Sequence, residues 1–266
     1  SHERLLVAIP RAPLRLCAAA IEVACLTRMQ HDSQLLAEDP FAAAEVRQML
    51  DDARDHLQRL VDQLISPAVR GPRWFYKGKE LAVDSARGLR HELSRITRAV
   101  YEKTPKLNNE MIVRKKPSAV VVNARKKLLM AILERAGQEE LGISGNFPDR
   151  SMFRSVLLGT GLYRKDRHGR WAFAPPQAIN DDGLRDIWSR LREFLTAPSD
   201  RPKDIRVLFD ELARPPYGLR AGLLPILMAA ALKAFPSAIS LTHHGEYVQD
   251  ILPSQVEGLC RNPADY

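Results

Sequence analysis

The sequence predicts a mainly α fold, an antiparallel helical hairpin followed by two winged-helix-like units with small β-hairpins. Three observations predict it. Val46, Leu50, Ala53, Leu57, Leu60 and Leu64 step by 4, 3, 4, 3 and 4, the seam of a packed helix pair. The order helix, helix, helix, β-hairpin occurs twice, over 84–173 and over 181–251. A hydrophobic fraction of 45% beside 27% charged residues suits packed cores and argues against disorder. The expected units are 1–70, the helical hairpin; 71–176, a basic winged-helix-like unit; and 177–266, a second winged-helix-like unit.

Taken in order, the chain opens Ser1-His2 without a Met, which reads as a tag remnant before an excised fragment. Arg4 to Pro10 reads as a strand whose sheet partners are expected to lie outside the fragment. Helices are predicted over 13–38, ended by Asp39-Pro40, and over 41–66, ended by Pro67 and Gly71-Pro72. Trp74-Phe75-Tyr76, Lys77-Gly78 and Leu81-Ala82-Val83 predict a hairpin, with Gly78 free to take positive φ. Asp84 is the expected cap of a helix carrying Leu89, Leu93, Ile96 and Val100, stopped at Thr104-Pro105. Residues 106–117 lack periodicity and read as a loop.

Ser118 is expected to cap a helix over 119–136, and Asp149 a short helix through Leu157-Leu158 closed by Gly159 and Gly161. Leu162-Tyr163, a polar tip at 166–169 and Trp171-Ala172-Phe173 make the next hairpin. Helices over 182–196, 203–213 and 219–235 follow. Ala238 to Leu241, a His243-His244-Gly245 turn and Glu246 to Ile251 form the last hairpin, and a final helix begins near Pro253. The two histidines read as turn residues rather than metal ligands.

Net charge is the most informative count. Residues 1–66 hold 7 Lys/Arg and 10 Asp/Glu, residues 67–173 hold 23 and 10, and residues 174–266 hold 10 and 12. The excess of +13 in the middle is an electrostatic footprint for a polyanion. Nucleic acid is therefore the expected partner, DNA ahead of RNA. The other expected partners are the remainder of a parent chain or partner subunits.

No apolar run reaches the roughly 18 to 20 residues of a bilayer crossing, so no membrane is expected. Three scattered cysteines, with no CxxC pair, suit a reducing cytoplasm.

Recognisable catalytic patterns are missing. There is no GxxxxGK[ST], no GxGxxG and no HExxH, and no acid stands two residues before any lysine. His31, His56 and His91 lack a second ligand at i+3 or i+4. The expectation is a non-enzymatic fragment without a cofactor, catalytic residue or metal.

The candidate anion-binding residues form two groups. Arg114, Lys115, Lys116, Lys126 and Lys127 lie in a stretch free of acids between Glu110 and Glu134. Arg125 belongs to the same run but projects from the apolar face with Val121, Leu128 and Ile132, so an internal pairing is expected for it and a solvated role for Lys127. The second group is the hairpin tip, Arg164, Lys165, Arg167 and Arg170 against the single Asp166, with Arg150 and Arg154 on the preceding helix. Each lysine or arginine on a phosphate would release condensed counterions. Trp171 and Phe173 are expected to anchor the hairpin to its own core rather than stack on bases. The helix over 223–235 is too apolar to read base edges and is expected to be buried or to meet a partner chain.

Two stretches carry a resemblance: Gly145-Asn146-Phe147-Pro148-Asp149-Arg150-Ser151-Met152-Phe153 running to Thr160-Gly161-Leu162-Tyr163-Arg164, and Pro215-Pro216-Tyr217-Gly218-Leu219-Arg220-Ala221-Gly222. They resemble the region downstream of the nucleotide-binding core in large bacterial P-loop ATPases, including BREX-like proteins linked to phage defence. That resemblance implies an ATPase elsewhere in a parent chain and an accessory, non-catalytic role here. No nucleotide-binding residue is carried over. The alternative expectation is an interaction or oligomerisation scaffold, with the 41–66 seam and the 223–235 helix as contact surfaces.

Overall fold

The computed structural model describes residues 5–32, 39–114, 116–199, 201–235 and 239–266. The described residues are 57% helix and 8% strand, with small antiparallel hairpins, so the mainly α expectation holds. It divides into two compact units, 1–100 and 101–266. The expected boundary at 70/71 therefore falls inside the first unit and the one at 176/177 inside the second.

In the first unit β1 (Leu6–Ile9) pairs antiparallel with β2 (Arg73–Tyr76), Leu6 opposite Tyr76 and Ile9 opposite Arg73; β2 pairs in turn with β3 (Lys79–Leu81). The partner of the opening strand thus lies in this chain, not outside it. Nothing local in the sequence announces a partner that far along. Lys77 (φ 49°) and Gly78 (φ 76°) make the two-residue turn whose twist matches the strands.

Helices α1 (Leu16–His31) and α2 (Pro40–Ile65) form the predicted hairpin. Residues 33–38, part of the expected first helix, lie outside the described residues. Asp39 starts the second helix rather than ending the first. Its carboxylate accepts the N–H of Phe41 (2.9 Å) and Ala42 (3.1 Å), and Pro40 sits where a missing N–H costs nothing. Leu26 of α1 packs with Leu50 and Ala53 of α2, as the heptad steps require. Farther along α2, Leu57, Leu60 and Leu64 are only half-buried. α3 (Ala86–Val100) is capped by Ser85, whose hydroxyl accepts the Gly88 N–H at 3.1 Å, one residue past the expected Asp84.

The second unit has one continuous core, from Ile112 to Leu259. A four-residue helix, α4 (Glu110–Val113), stands in the expected loop, started by the Asn109 carboxamide accepting from the Met111 N–H at 3.1 Å. α5 (Ala119–Glu134) buries Val121, Ala124, Leu128, Leu129, Ala131 and Ile132. Ser118 stands at its N-cap without a side-chain bond, and the helix ends two residues before the expected 136.

α6 (Pro148–Phe153) continues into a π-helical turn (Arg154–Leu158) and then the hairpin β4 (Tyr163–Lys165) and β5 (Trp171–Phe173). Asp149 lies in the first turn of α6 rather than at its cap, which is Phe147. Next come α7 (Asp182–Thr196), α8 (Ile205–Ala213) and α9 (Leu224–Ala234), then β6 (Thr242–His243), β7 (Glu246–Tyr247), α10 (Pro253–Arg261) and a 3₁₀ turn (Pro263–Asp265).

One hydrogen bond carries the core past residue 176. The Trp188 Nε1–H of α7 donates to the Ala174 carbonyl at 3.1 Å, and the fully buried Trp188 ring lies 5.0 Å from Phe235. α9 is buried along Leu224 to Ala231, so most of this apolar helix belongs to the unit's own core. No helix among the described residues is long and apolar enough to cross a membrane.

Candidate nucleic-acid interface

The β4–β5 hairpin is built around Tyr163, which is fully buried between Phe153, Trp171 and Phe173, with ring centroids 6.1, 5.6 and 5.0 Å away. Its hydroxyl accepts the Gly137 N–H (3.0 Å) and donates to the Gln138 carbonyl (2.8 Å), pinning the turn after α5. Trp171 and Phe173 are half-buried against the core, which is the anchoring role expected of them.

Side chains alternate across a strand. Tyr163 and Lys165 therefore share the inner face with their cross-strand partners Phe173 and Trp171, and Arg164 takes the outer face opposite Ala172. Lys165 lies over the Trp171 ring at 5.4 Å and 3.7 Å from Glu139.

Asp166, the only acid at the tip, organises the turn. Its carboxylate accepts the backbone N–H of His168 (2.7 Å) and Arg170 (2.9 Å) and the Arg170 Nε–H (3.2 Å). The Arg170 backbone bond, with that of His168 and the Arg170 guanidinium, holds this carboxyl below its ordinary range. The acid is thus committed to the turn and to Arg170. Arg167 is exposed, with its Nε–H directed to the His168 Nε2 at 3.1 Å.

Arg150 of α6 and Arg154 of the π-helical turn after it line one open cleft of about 440 Å³ with Asn146, Phe147, Ser151 and Ser155. Arg150 is largely committed to structure. It donates to the Gly145 carbonyl at 2.8 Å and pairs with Glu140 at 3.1 Å. Glu140 (φ 45°) and Leu141 (φ 56°) both sit in the left-handed region, a strained turn held by this contact and by the Arg135 bond to the Gly142 carbonyl at 3.0 Å. Glu139 and Glu140, adjacent in sequence, so tie Lys165 of the hairpin and Arg150 of the cleft to one turn.

Phe147 was not among the sequence candidates. It is 65% exposed, and its ring lies over Gly145, where a Cβ would meet it at 2.8 Å. An exposed ring just before a helix start was the available signal.

Among the remaining candidates, Arg114 pairs with Glu110 at 3.7 Å, Lys116, Lys126 and Lys127 are exposed, and Lys115 lies outside the described residues. Four candidates, Arg114, Arg150, Lys165 and Arg170, are thus ion-paired. Lys116, Lys126, Lys127, Arg154, Arg164 and Arg167 have no ion pair among the described residues.

Arg125 makes the internal pairing expected of it, to Glu257. The basic block is divided: residues 67–100, with 8 of its 23 Lys/Arg, belong to the first unit and the rest to the second. Comparison with known protein families, with curated proteins and with solved structures finds no match.

Proposed function

We propose that the second unit binds nucleic-acid backbone, duplex DNA first, through the outer face of the β4–β5 hairpin and the cleft beside α6. The observation that carries this reading is the set Arg154, Arg164 and Arg167: exposed, without a carboxylate partner among the described residues, on the two elements that one glutamate-bearing turn holds together. Guanidinium groups of this kind suit phosphate oxygens, and the exposed Phe147 ring offers a stacking face that tolerates any base. In this reading α5, α6 and the β4–β5 hairpin are what the second unit holds of the winged-helix-like order expected over 84–173, whose opening helix α3 belongs to the first unit, and α7, α8, α9 with β6–β7 are a second one given over to packing. The chain is then a non-catalytic, cytoplasmic accessory module of a larger bacterial NTPase, of the phage-defence kind its sequence resembles.

The test is fluorescence anisotropy on labelled duplexes of unrelated sequence. Reversing Arg154, Arg164 and Arg167 to Glu together weakens binding at least about tenfold on every sequence alike, because phosphate contacts carry no sequence information. Arg192→Glu, an exposed change on α7, leaves affinity unchanged. Equal affinity of the triple variant and the parent chain would overturn the proposal.

One observation favours a second reading, that of an oligomerisation scaffold. The second half of α2 leaves Leu57, Leu60 and Leu64 half-buried and Ile65 exposed, a continuation of the seam beyond the Leu26–Leu50–Ala53 packing.

A further inference from the structure

The β6–β7 hairpin turns through His244 (φ 50°) and Gly245 (φ 83°), the two positive-φ positions that a tight two-residue loop demands. Histidine tolerates this region better than most side chains. The turn is also fixed from outside: the His244 N–H donates to the Asp265 carbonyl at 2.7 Å. That carbonyl belongs to the 3₁₀ turn Pro263–Asp265, which folds back on α10. The Asn262 N–H closes on the Gly258 carbonyl at 2.8 Å, and the Tyr266 hydroxyl would stand 2.5 Å from a Cβ at Gly258, so glycine is what leaves it room. The Tyr266 ring lies against His243, centroids 4.4 Å apart, and the His243 and His244 rings are 4.3 Å apart. The consequence is a juxtaposition that no sequence spacing announces. One nitrogen from each imidazole and a carboxylate oxygen of Asp265 all lie within 4.8 Å of one another.

We propose that His243, His244 and Asp265 form a binding site for a divalent transition metal, zinc or nickel. Two imidazoles and one carboxylate are the donor set these ions prefer, whereas calcium and magnesium take oxygen ligands. Bonds of about 2.0–2.2 Å to a tetrahedral ion bring donors to about 3.4 Å apart. Closing from 4.8 Å asks for side-chain rotation, and His244 is exposed and has the room. Three protein ligands leave a fourth position for water or a partner's side chain. A bound ion would staple the hairpin tip to the turn after α10, two segments that otherwise meet through one backbone bond and ring contacts.

The experiment is calorimetric titration of the chain with zinc chloride in a buffer that does not chelate, followed by thermal melts with and without zinc. The expected result is one saturable site per chain, not displaced by magnesium, and a melting temperature that rises with zinc. His244→Ala and Asp265→Asn each weaken binding at least about tenfold, or about 1.4 kcal/mol, and abolish the thermal shift. His168→Ala, at the tip of the other hairpin, binds as the parent chain does. Circular dichroism of each variant without zinc separates a lost ligand from a lost fold. Absence of saturable binding at concentrations on the order of 100 μM, or unchanged affinity in both His244→Ala and Asp265→Asn, overturns the proposal. Neither result touches the reading of the β4–β5 hairpin, whose residues take no part.

Discussion

Arg125 Nη2 lies 3.0 Å from Glu257 Oε1, an ion pair between α5 and α10 whose side chains are only 16% and 7% exposed. The Arg125 Nε–H reaches the same oxygen at 3.1 Å. This contact decides how the basic stretch around 114–127 is to be understood. One of its cations is spent inside the second unit, and it joins what the sequence suggested were two separate units. Removing one partner strands a charge that can neither pair nor hydrate fully.

Glu257→Ala is accordingly expected to cost about 3 kcal/mol of unfolding free energy. The double change Arg125→Met with Glu257→Leu should recover most of it, because an apolar pair of similar volume leaves no orphaned charge. Urea denaturation of the three chains measures this. A single variant within about 0.5 kcal/mol of the parent would contradict it.

Glycine at 222 is required by a close approach. A Cβ there would collide with the Ile112 carbonyl oxygen, so α4 packs on the turn before α9 only because no side chain intervenes. Gly222→Ala is expected to cost about 3 kcal/mol by forcing backbone apart. Gly137→Ala meets no atom within 4 Å and carries only the strain of φ 99°, about 1 kcal/mol. Thermal melts that rank the two in the reverse order would contradict this account.

Tyr163→Phe removes a hydroxyl that serves two backbone groups at once. The Gly137 N–H and the Gln138 carbonyl lose their partner, at a cost of about 1–3 kcal/mol. Hydrogen exchange should show the 137–142 turn opening faster while α9 keeps its protection. Uniform acceleration across the second unit would instead mark Tyr163 as a general core residue.

The three cysteines should separate by environment. Burial pushes the Cys260 thiol up to about 12, whereas Cys17 and Cys25 are exposed on α1. Alkylation followed by mass spectrometry at mildly alkaline pH should label Cys17 and Cys25 first and the half-buried Cys260 last. A thiol whose folded value is raised holds its proton longer when folded. Its contribution is therefore complete below the ordinary thiol value of 9.0 and is lost as pH rises from there towards 12. Cys260→Ala should flatten the decline in stability over that alkaline window. An unchanged decline would mean Cys260 does not contribute to it.

The helices were legible because their signals are local. The 4,3,4,3 steps of α2 and the turn chemistry of Lys77-Gly78 need only a few neighbours to act. What sequence could not supply was pairing over distance. The β1 partner at 73–76, the Arg125–Glu257 bridge and the packing of Trp188 on Ala174 all join residues with no shared periodicity. The expected boundary at 176/177 rests on such a local signal: Pro175-Pro176 reads as punctuation, and the core runs past it from Val156 to Trp188. The candidate site was half legible. Charge counting singled out the β4–β5 hairpin as the candidate, but the alternation that sends Arg164 outward and Lys165 over Trp171 needed the strand register.

If the half-buried end of the α2 seam is an interface, the chain self-associates. Leu57→Asp with Leu64→Asp should then convert a dimer to a monomer by sedimentation without loss of helicity. A parent chain that is already monomeric at all concentrations would remove the scaffold reading.

Duplex binding measured against salt concentration tests backbone recognition by the β4–β5 hairpin and the cleft beside α6. Each phosphate contact contributes about −0.9 to the slope of log affinity on log salt. Contacts from Arg154, Arg164 and Arg167 alone predict a slope of about −3, the same for unrelated sequences. No detectable binding even at low salt, or a slope near zero, would contradict it.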